Sequence, residues 1–449
     1  MKKLLWAFCA LIILLSSCNK YLDLKSSNKM AVPVKLSDLQ ALLDDQTYMN
    51  NLRTPSMVQS YCDDSYAPDA VYAKYTADMK LQYQWKAVDY FFPNDWSSGY
   101  NPIYTSNYCL EQLANISNSA SMDKEWNNVK GSALFYKAYY YLGLLWAFAP
   151  AYDPKSDNRG QGIVLRGSSD FNIESRFATV EEGYNEVINL ATWSIALLPD
   201  FPLVKTRPSK WAAYALLARA YLSMGRFEDA QKYATSALEL NNGLIDFNNP
   251  DDGIVINANL PFTKFTKETI FYSEMTQKFV LHNPSKNAAV DTMLYRSYDT
   301  EDLRKLAYYK IVGKDMVFKG THSSSINALF TGLSTAELFL ISAESKIRNG
   351  DMVGGAADLN KLLKSRWNKK MPFREKVITH TASGLDEVLL ERRKELLYRG
   401  LRWSDIKRLN LEDRNIILKR IAEGELVTLN PNSPMYQLPL PKDLEAYLK

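Results

Sequence analysis

The stretch from Arg207 to Leu240 leaves little choice of fold. Tyr214, Leu217, Ala218 and Tyr221 occupy the aromatic, leucine, small and aromatic places of a tetratricopeptide helix, Gly225 stands at the turn, and Phe227, Ala230 and Ala237 line the returning helix. Small residues let two helices approach closely, and aromatic rings fill the space beside them. One such pair cannot bury its apolar face alone, so it needs neighbours. Phe339, Ala343 and Gly350 repeat the spacing of Tyr214, Ala218 and Gly225 at an offset of 125 residues. The copies are therefore not tandem, and an inserted region separates them. Val129 to Phe148, dense in Tyr and Leu, and Thr179 to Leu198, opened by Thr179 and closed before Pro199, read as partner helices. The expected fold is mostly α: a tetratricopeptide-like helical repeat scaffold. Loop-rich insertions are expected at roughly 60–105, 150–178, 243–330 and 365–384, with a short strand near Glu268 to Glu274.

The N-terminus points to export. Lys2 and Lys3 precede an apolar run, Leu4 to Leu15, that is too short to span a bilayer comfortably. Leu15-Ser16-Ser17-Cys18 is similar to a bacterial lipobox, so residues 1–17 are expected to leave as a lipoprotein signal peptide and Cys18 to carry lipid. Several acyl chains on one Cys would hold the protein at a membrane, where a single chain would not. Residues 18–32 are polar and aperiodic, as a lipidated tether would be, and 33–449 follow as one domain, with an N-terminal part at about 33–240 and a C-terminal part at about 241–449. Loss of Lys2 and Lys3 leaves 52 basic against 50 acidic residues. With no long basic run interleaved with aromatics, nothing marks a nucleic-acid partner. Cys62 and Cys109 lie in aromatic-rich segments and are expected as two buried thiols.

Signatures of catalysis fail in turn. His282, His322 and His380 open no His-Glu-x-x-His helix and sit near no Cys pair, so no metal site is expected; Gly-rich phosphate and dinucleotide loops are absent too, and no cofactor is called for. Asp63-Asp64, among Tyr61, Tyr66 and Tyr72, is the best local carboxylate pair, with the cap-and-loop role preferred to chemistry. Glu391-Arg392-Arg393-Lys394-Glu395 is charge-dense, yet its spacing with Leu389, Leu390, Leu396 and Leu397 is that of an amphipathic helix whose long side chains bridge segments.

What stands out instead is aromatic: 28 Tyr, 18 Phe and 9 Trp, a bias toward rings with a polar tip. A sugar offers C–H groups on one face and hydroxyls around its rim, so a binder needs a flat ring beneath and amides at the edge. Asn94-Asp95-Trp96-Ser97-Ser98-Gly99-Tyr100-Asn101 supplies both in what reads as one loop, which makes Trp96, Tyr100 and Asn101 the leading ligand contacts. Tyr72, Tyr75, Trp85, Tyr295 and Tyr298 are secondary candidates.

The lipobox followed by Tyr21-Leu22-Asp23, the run Ala336 to Glu344 leading to Gly350, Asn360 and Arg366, the stretch Leu389 to Arg408, and the ending Tyr436-Gln437-Leu438-Pro439-Leu440-Pro441 together resemble the SusD/RagB family of Bacteroidetes outer-membrane lipoproteins. Asp302-Leu303-Arg304, Asn107 before Leu110-Glu111, and Lys210-Ala212-Ala213 are further matches. Two positions depart: Ser342 stands where the family usually has Arg, and Arg399 where it usually has Glu, so an ion pair of the pattern is expected to be rearranged. The resemblance implies a surface-exposed, non-catalytic lipoprotein that captures oligosaccharide, or in some members peptide, for a SusC-like TonB-dependent transporter. It also implies a ligand-contacting loop near residues 94–101 and a transporter contact on the repeat side, where Tyr139, Tyr140 and Arg226 are candidates. Two other classes compete: a surface glycosidase, which needs converging carboxylates in a cleft, and a periplasmic scaffold holding a protein on its repeats.

Overall fold

Helices start where a polar side chain can accept the orphan N–H groups of a first turn. The computed structural model describes residues 33, 35–116, 121–278 and 288–447; the signal peptide, Cys18, the tether and His282 lie outside these. The principal helices are α1 (Leu36–Asp44), α2 (Asp95–Leu113), α3 (Asp123–Phe148), α4 (Val180–Ile195) and α5 (Lys210–Ser223). They continue with α6 (Phe227–Leu240), α7 (Thr335–Arg348), α8 (Met352–Arg366), α9 (Thr381–Glu395) and α10 (Arg402–Asn410). Asn94, Thr179, Ser209, Ser334 and Asp351 accept from the first turns of α2, α4, α5, α7 and α8. At Thr179 the bond is reciprocated by Glu182, a full capping box. Gly225 and Gly350 end α5 and α7 with φ of 70° and 89°, a region L side chains adopt at a cost, so both repeat turns depend on glycine. None of the described helices is long and apolar enough to cross a membrane.

Neighbouring helices pack in series, α2 on α3, α3 on α4, α4 on α5 and α5 on α6, and α6 then packs on α7, which packs on α8 and α9. The two repeat copies, separated in sequence, are thus consecutive in space, and the insertion between them leaves the array unbroken. A buried fork closes the joint. Arg219 of α5 donates from Nε to Glu337 Oε1 at 2.7 Å and from Nη2 to Oε2 at 2.5 Å, across 118 residues of chain.

Strands are short: β1 (Ser65–Tyr66), β2 (Gln161–Val164), β3 (Phe177–Thr179), β4 (Thr269–Phe271), β5 (Ala289–Val290), β6 (Tyr309–Val312), β7 (Asp315–Phe318), β8 (Leu333–Ser334), β9 (Leu418–Ala422) and β10 (Glu425–Leu429). One four-stranded antiparallel sheet, ordered β1-β5-β7-β6, brings residues 65–66 into the insertion; β2 pairs with β3, β4 with β8, and β9 with β10. The strand expected near Glu268 to Glu274 is β4.

Two expectations need correction. Residues 95–101 are not a loop but the first turns of α2. Tyr139 and Tyr140 are buried, and so are in no position to meet a partner: from Val129 onward α3 is buried on nearly every side and runs through the centre, where the Tyr139 hydroxyl donates to Thr331 O at 3.0 Å and that of Tyr140 to Met49 O. Of the two roles expected for Asp63 and Asp64, capping a helix and fixing a loop, the structure shows the second. Arg402 forks onto Asp63 at 2.7 and 2.9 Å and Arg393 reaches Asp64 at 3.2 Å, so the pair fixes the 63–64 segment to α9 and α10. Cys62 and Cys109 are free and buried, and burial pushes the Cys109 thiol up to about 12.

The run 391–395 bridges segments, and does so inside the protein. Glu391, Arg392, Lys394 and Glu395 are all buried. Arg392 pairs with Asp405 at 2.9 Å, Asp405 with Arg408 at 2.9 Å, and Arg408 grips Glu344 of α7 at 2.6 and 2.8 Å. Burial alone would raise the Glu344 carboxyl, but Arg408, with Arg348 and Arg392 behind it, holds it down at about 2. A folded value below the unfolded one, about 4.3, means stability that is present above that pH and lost as pH falls through about 2. In urea unfolding between pH 5 and 2, Glu344→Gln should therefore lose stability less steeply than the parent; equal slopes would refute this.

Candidate functional site

α2 carries Trp96, Tyr100 and Tyr104 at intervals of four residues, which sets three rings along one face. Asp95 anchors the start of that face: fully buried, its carboxylate accepts from Ser56 N at 2.6 Å and Met57 N at 2.8 Å. Burial pushes it up to about 6, against the pull of those hydrogen bonds. Trp96, 4% exposed, lies 5.0 Å from the Tyr100 ring and meets Phe148 edge-on at 5.2 Å. The half-buried Tyr100 donates its hydroxyl to Val164 O of β2 at 2.7 Å, and burial keeps that phenol protonated. Tyr104, 42% exposed, stacks on Phe171, 81% exposed, with centroids 5.1 Å apart and planes 17° from parallel.

Phe171 is held out by a loop that follows β2 and is braced from within. Asn107 of α2 donates Nδ2 to Arg166 O at 2.9 Å and to Ser168 O at 3.3 Å, and Tyr141 of α3 donates to Arg166 O at 2.9 Å. Glu111 accepts from Ser168 Oγ at 2.6 Å and Ser169 N at 2.8 Å; burial opposes its charge, yet these donors hold its carboxyl below the usual range. The Arg166 guanidinium closes the loop on itself, reaching Ile173 O and Ser175 Oγ at 2.6 Å and Asp170 O at 2.5 Å.

Between this loop, α2 and the Leu42 to Tyr48 segment lies a cleft of about 910 Å³ whose rings include Tyr48, Trp96, Tyr100, Tyr104 and Phe171. Asn101, Arg166, Ser168 and Ser175 supply polar edges. Arg166 and Asp45 are the charged lining residues, and Asp45 already accepts from Thr47 N at 2.9 Å. Such a lining suits a neutral, flat-faced, hydroxyl-rich ligand. It does not suit hydrolysis by paired carboxylates, because Asp45 is the single carboxylate among the described lining residues.

Trp96, Tyr100 and Asn101 therefore line one cleft. The five secondary candidates do not line it. Tyr72 and Tyr75 pack edge-on with Tyr83; Trp85 donates Nε1–H to Tyr61 O at 2.8 Å beneath Arg420; Tyr295 meets Tyr309 edge-on; and Tyr298 donates to Lys394 O at 2.7 Å. Sequence reasoning passed over Tyr48, Tyr104 and Phe171. The four-residue spacing of Tyr104 was the available signal, masked because Gly99 and Pro102 read as helix breakers.

Residues 20–222 match a SusD-like family described as starch-binding and associating with the outer membrane. A SusD superfamily protein of Bacteroides fragilis shares 17% identity over 93% of this chain and 99% of its own, with a TM-score of 0.73. One of Bacteroides thetaiotaomicron shares 17% over 92% and 98%, at 0.71, and a SusD-like carbohydrate binding protein of Bacteroides vulgatus 17% over 92% and 96%, at 0.67. At such identity the likeness to these structures is one of fold. No curated protein sequence matches the chain.

Proposed function

We propose that this chain, a member of the SusD/RagB family, is a carbohydrate-binding protein of the outer membrane that captures oligosaccharide for a SusC-like TonB-dependent transporter. The observation that carries the reading is the aromatic cleft: the exposed rings of Tyr104 on α2 and Phe171 on its braced loop, with Asn101 in the same lining, so that little need be ordered when ligand arrives. C–H groups of a pyranose stack on such rings while its hydroxyls meet the amide and serine edges. A charge-balanced lining favours a neutral glycan over a charged peptide. Binding of the purified chain to a panel of neutral oligosaccharides by calorimetry tests this, and retention of none of them would defeat it.

The anchor and the partner belong to the same proposal. Cys18 would carry the lipid that holds the protein at the cell surface. On the repeat side, Arg226 is exposed, and so are Trp193, Phe201, Leu203 and Val204, which fall at the end of α4 and in the segment before α5. Exposed large apolar side chains of that kind support a docking role. Extraction of outer membranes in mild detergent should bring down the chain with a barrel partner. Cys18→Ala should appear in the soluble fraction or as precursor; a membrane-bound, acylated variant, or a parent chain isolated alone, would count against the proposal.

A further inference from the structure

We propose that a second, smaller site binds one monovalent anion, chloride in ordinary salt, against Arg399 in the crevice between α3, α5 and the start of α10. The crevice has a volume of about 30 Å³ and is lined by Thr54, Arg219, Thr331, Arg399, Gly400 and Leu401, among others. It shares no lining residue with the aromatic cleft.

Charge is the first argument. Two buried guanidinium groups reach this crevice, and the carboxylate of Glu337 is committed to one of them, Arg219. Arg399, 6% exposed, forms an ion pair with none of the described carboxylates. Its Nη2 donates to Gly332 O at 3.0 Å and Ser334 Oγ at 3.4 Å, its Cζ lies 4.2 Å from the centroid of the Phe330 ring, and its buried Nε has no partner among the described residues. Arg420, also buried, without an ion pair and with its own Nε unpartnered among the described residues, is met by three carbonyls, of Ser60, Cys62 and Tyr83, and by two aromatic rings, whereas Arg399 has one carbonyl, one hydroxyl and one ring. Burial, reinforced by Arg219, pulls the Arg399 guanidinium down to about 10 despite Glu337, as expected where positive charge is under-compensated. A charge left buried without a partner is costly, and one small anion removes the imbalance.

A second feature points the same way. Gly400 and Leu401 lead into α10, and Leu401, in the N-cap position, offers no side-chain acceptor to the first-turn N–H groups. The positive end of the helix thus abuts the crevice that Arg399 lines. A space of this size admits about one solvent molecule or one monatomic ion, so phosphate-sized and sugar-sized groups are excluded.

Melting of the full mature chain in chloride against gluconate at constant ionic strength tests the proposal. Chloride should raise the melting temperature saturably, and crystals soaked in bromide should show an anomalous peak in contact with the Arg399 guanidinium. R399Q should lose both effects. Melting that ignores anion identity, or bromide density absent from the crevice with only water in its place, would overturn the proposal. Both readouts on the unaltered chain decide the matter even if R399Q does not fold.

Discussion

Replacing Arg366 with Met should lower the stability of the folded chain by about 3–5 kcal/mol, the usual cost of stripping one partner from a buried ionic cluster. Arg366 is fully buried at the end of α8 between two carboxylates. Its Nη2 donates to Glu268 Oε1 and to Glu395 Oε1, both at 2.8 Å, while Nη1 holds Ile245 O at 2.7 Å. Glu395 keeps a second cation, Arg304, at 3.2 Å, but Glu268 has no other guanidinium among its described partners. Burial already lifts the Glu268 carboxyl above its ordinary value, against the pull of Arg366; without that pull it rises further. A folded pKa raised above the unfolded one makes stability fall as pH rises through that window, so the deficit of Arg366→Met should shrink toward acid pH. Urea midpoints across pH 4.5 to 8 check both the size and the slope. A loss under about 1 kcal/mol, or a deficit constant with pH, would show that the cluster adds little beyond packing. The effect reaches beyond one helix, because Glu268 immediately precedes β4 and Ile245 lies in the insertion: Arg366 is one of the places where the inserted region is tied to the helical array.

That cluster also shows what could be read from the sequence and what could not. The repeat helices were legible because their signals are local: Thr179 with Glu182, the Ala faces of α6, and Gly225 and Gly350 at positive φ each act within a few residues. That the two repeat copies are neighbours was not, since Arg219 of α5 finds Glu337 of α7 across 118 residues. Periodicity placed the 391–395 run on a helix and gave it a bridging role, but could not say that its charges are buried, because that depends on Arg304, Arg366 and Asp405 arriving from elsewhere. The cleft was half legible. Trp96, Tyr100 and Asn101 drew notice by chemistry alone, whereas Tyr104 was hidden behind Gly99 and Pro102, which α2 tolerates because Asn94 caps it and Asp95 pins its start. Phe171 sits in a segment with no periodicity, and its placement is set by Asn107, Glu111 and Arg166.

The same geometry separates residues that bind from residues that support, and so sets the second large effect. Tyr104→Ala and Phe171→Ala should each weaken oligosaccharide binding by about 1–3 kcal/mol, or roughly 5- to 150-fold, with the melting temperature nearly unchanged. Phe171 is 81% exposed and Tyr104 42%, so removing either opens no enclosed cavity and forfeits little core packing. What is lost is a preformed pair: each ring holds the other parallel at 5.1 Å, and a sugar face that stacks on one does so against a surface already ordered. The double variant should therefore lose less than the sum of the two single losses, as contacting residues do. Trp96→Ala should behave otherwise, because its ring is edge-on to Phe148 and almost wholly buried; it should cost about 3–5 kcal/mol of stability, and its effect on affinity would follow from a displaced Tyr100. Calorimetric titration paired with thermal melts distinguishes the two patterns. Unchanged affinity in Tyr104→Ala and Phe171→Ala would place the ligand elsewhere, while a fall of several degrees in their melting temperatures would make the stacked pair a loop anchor instead of a binding platform.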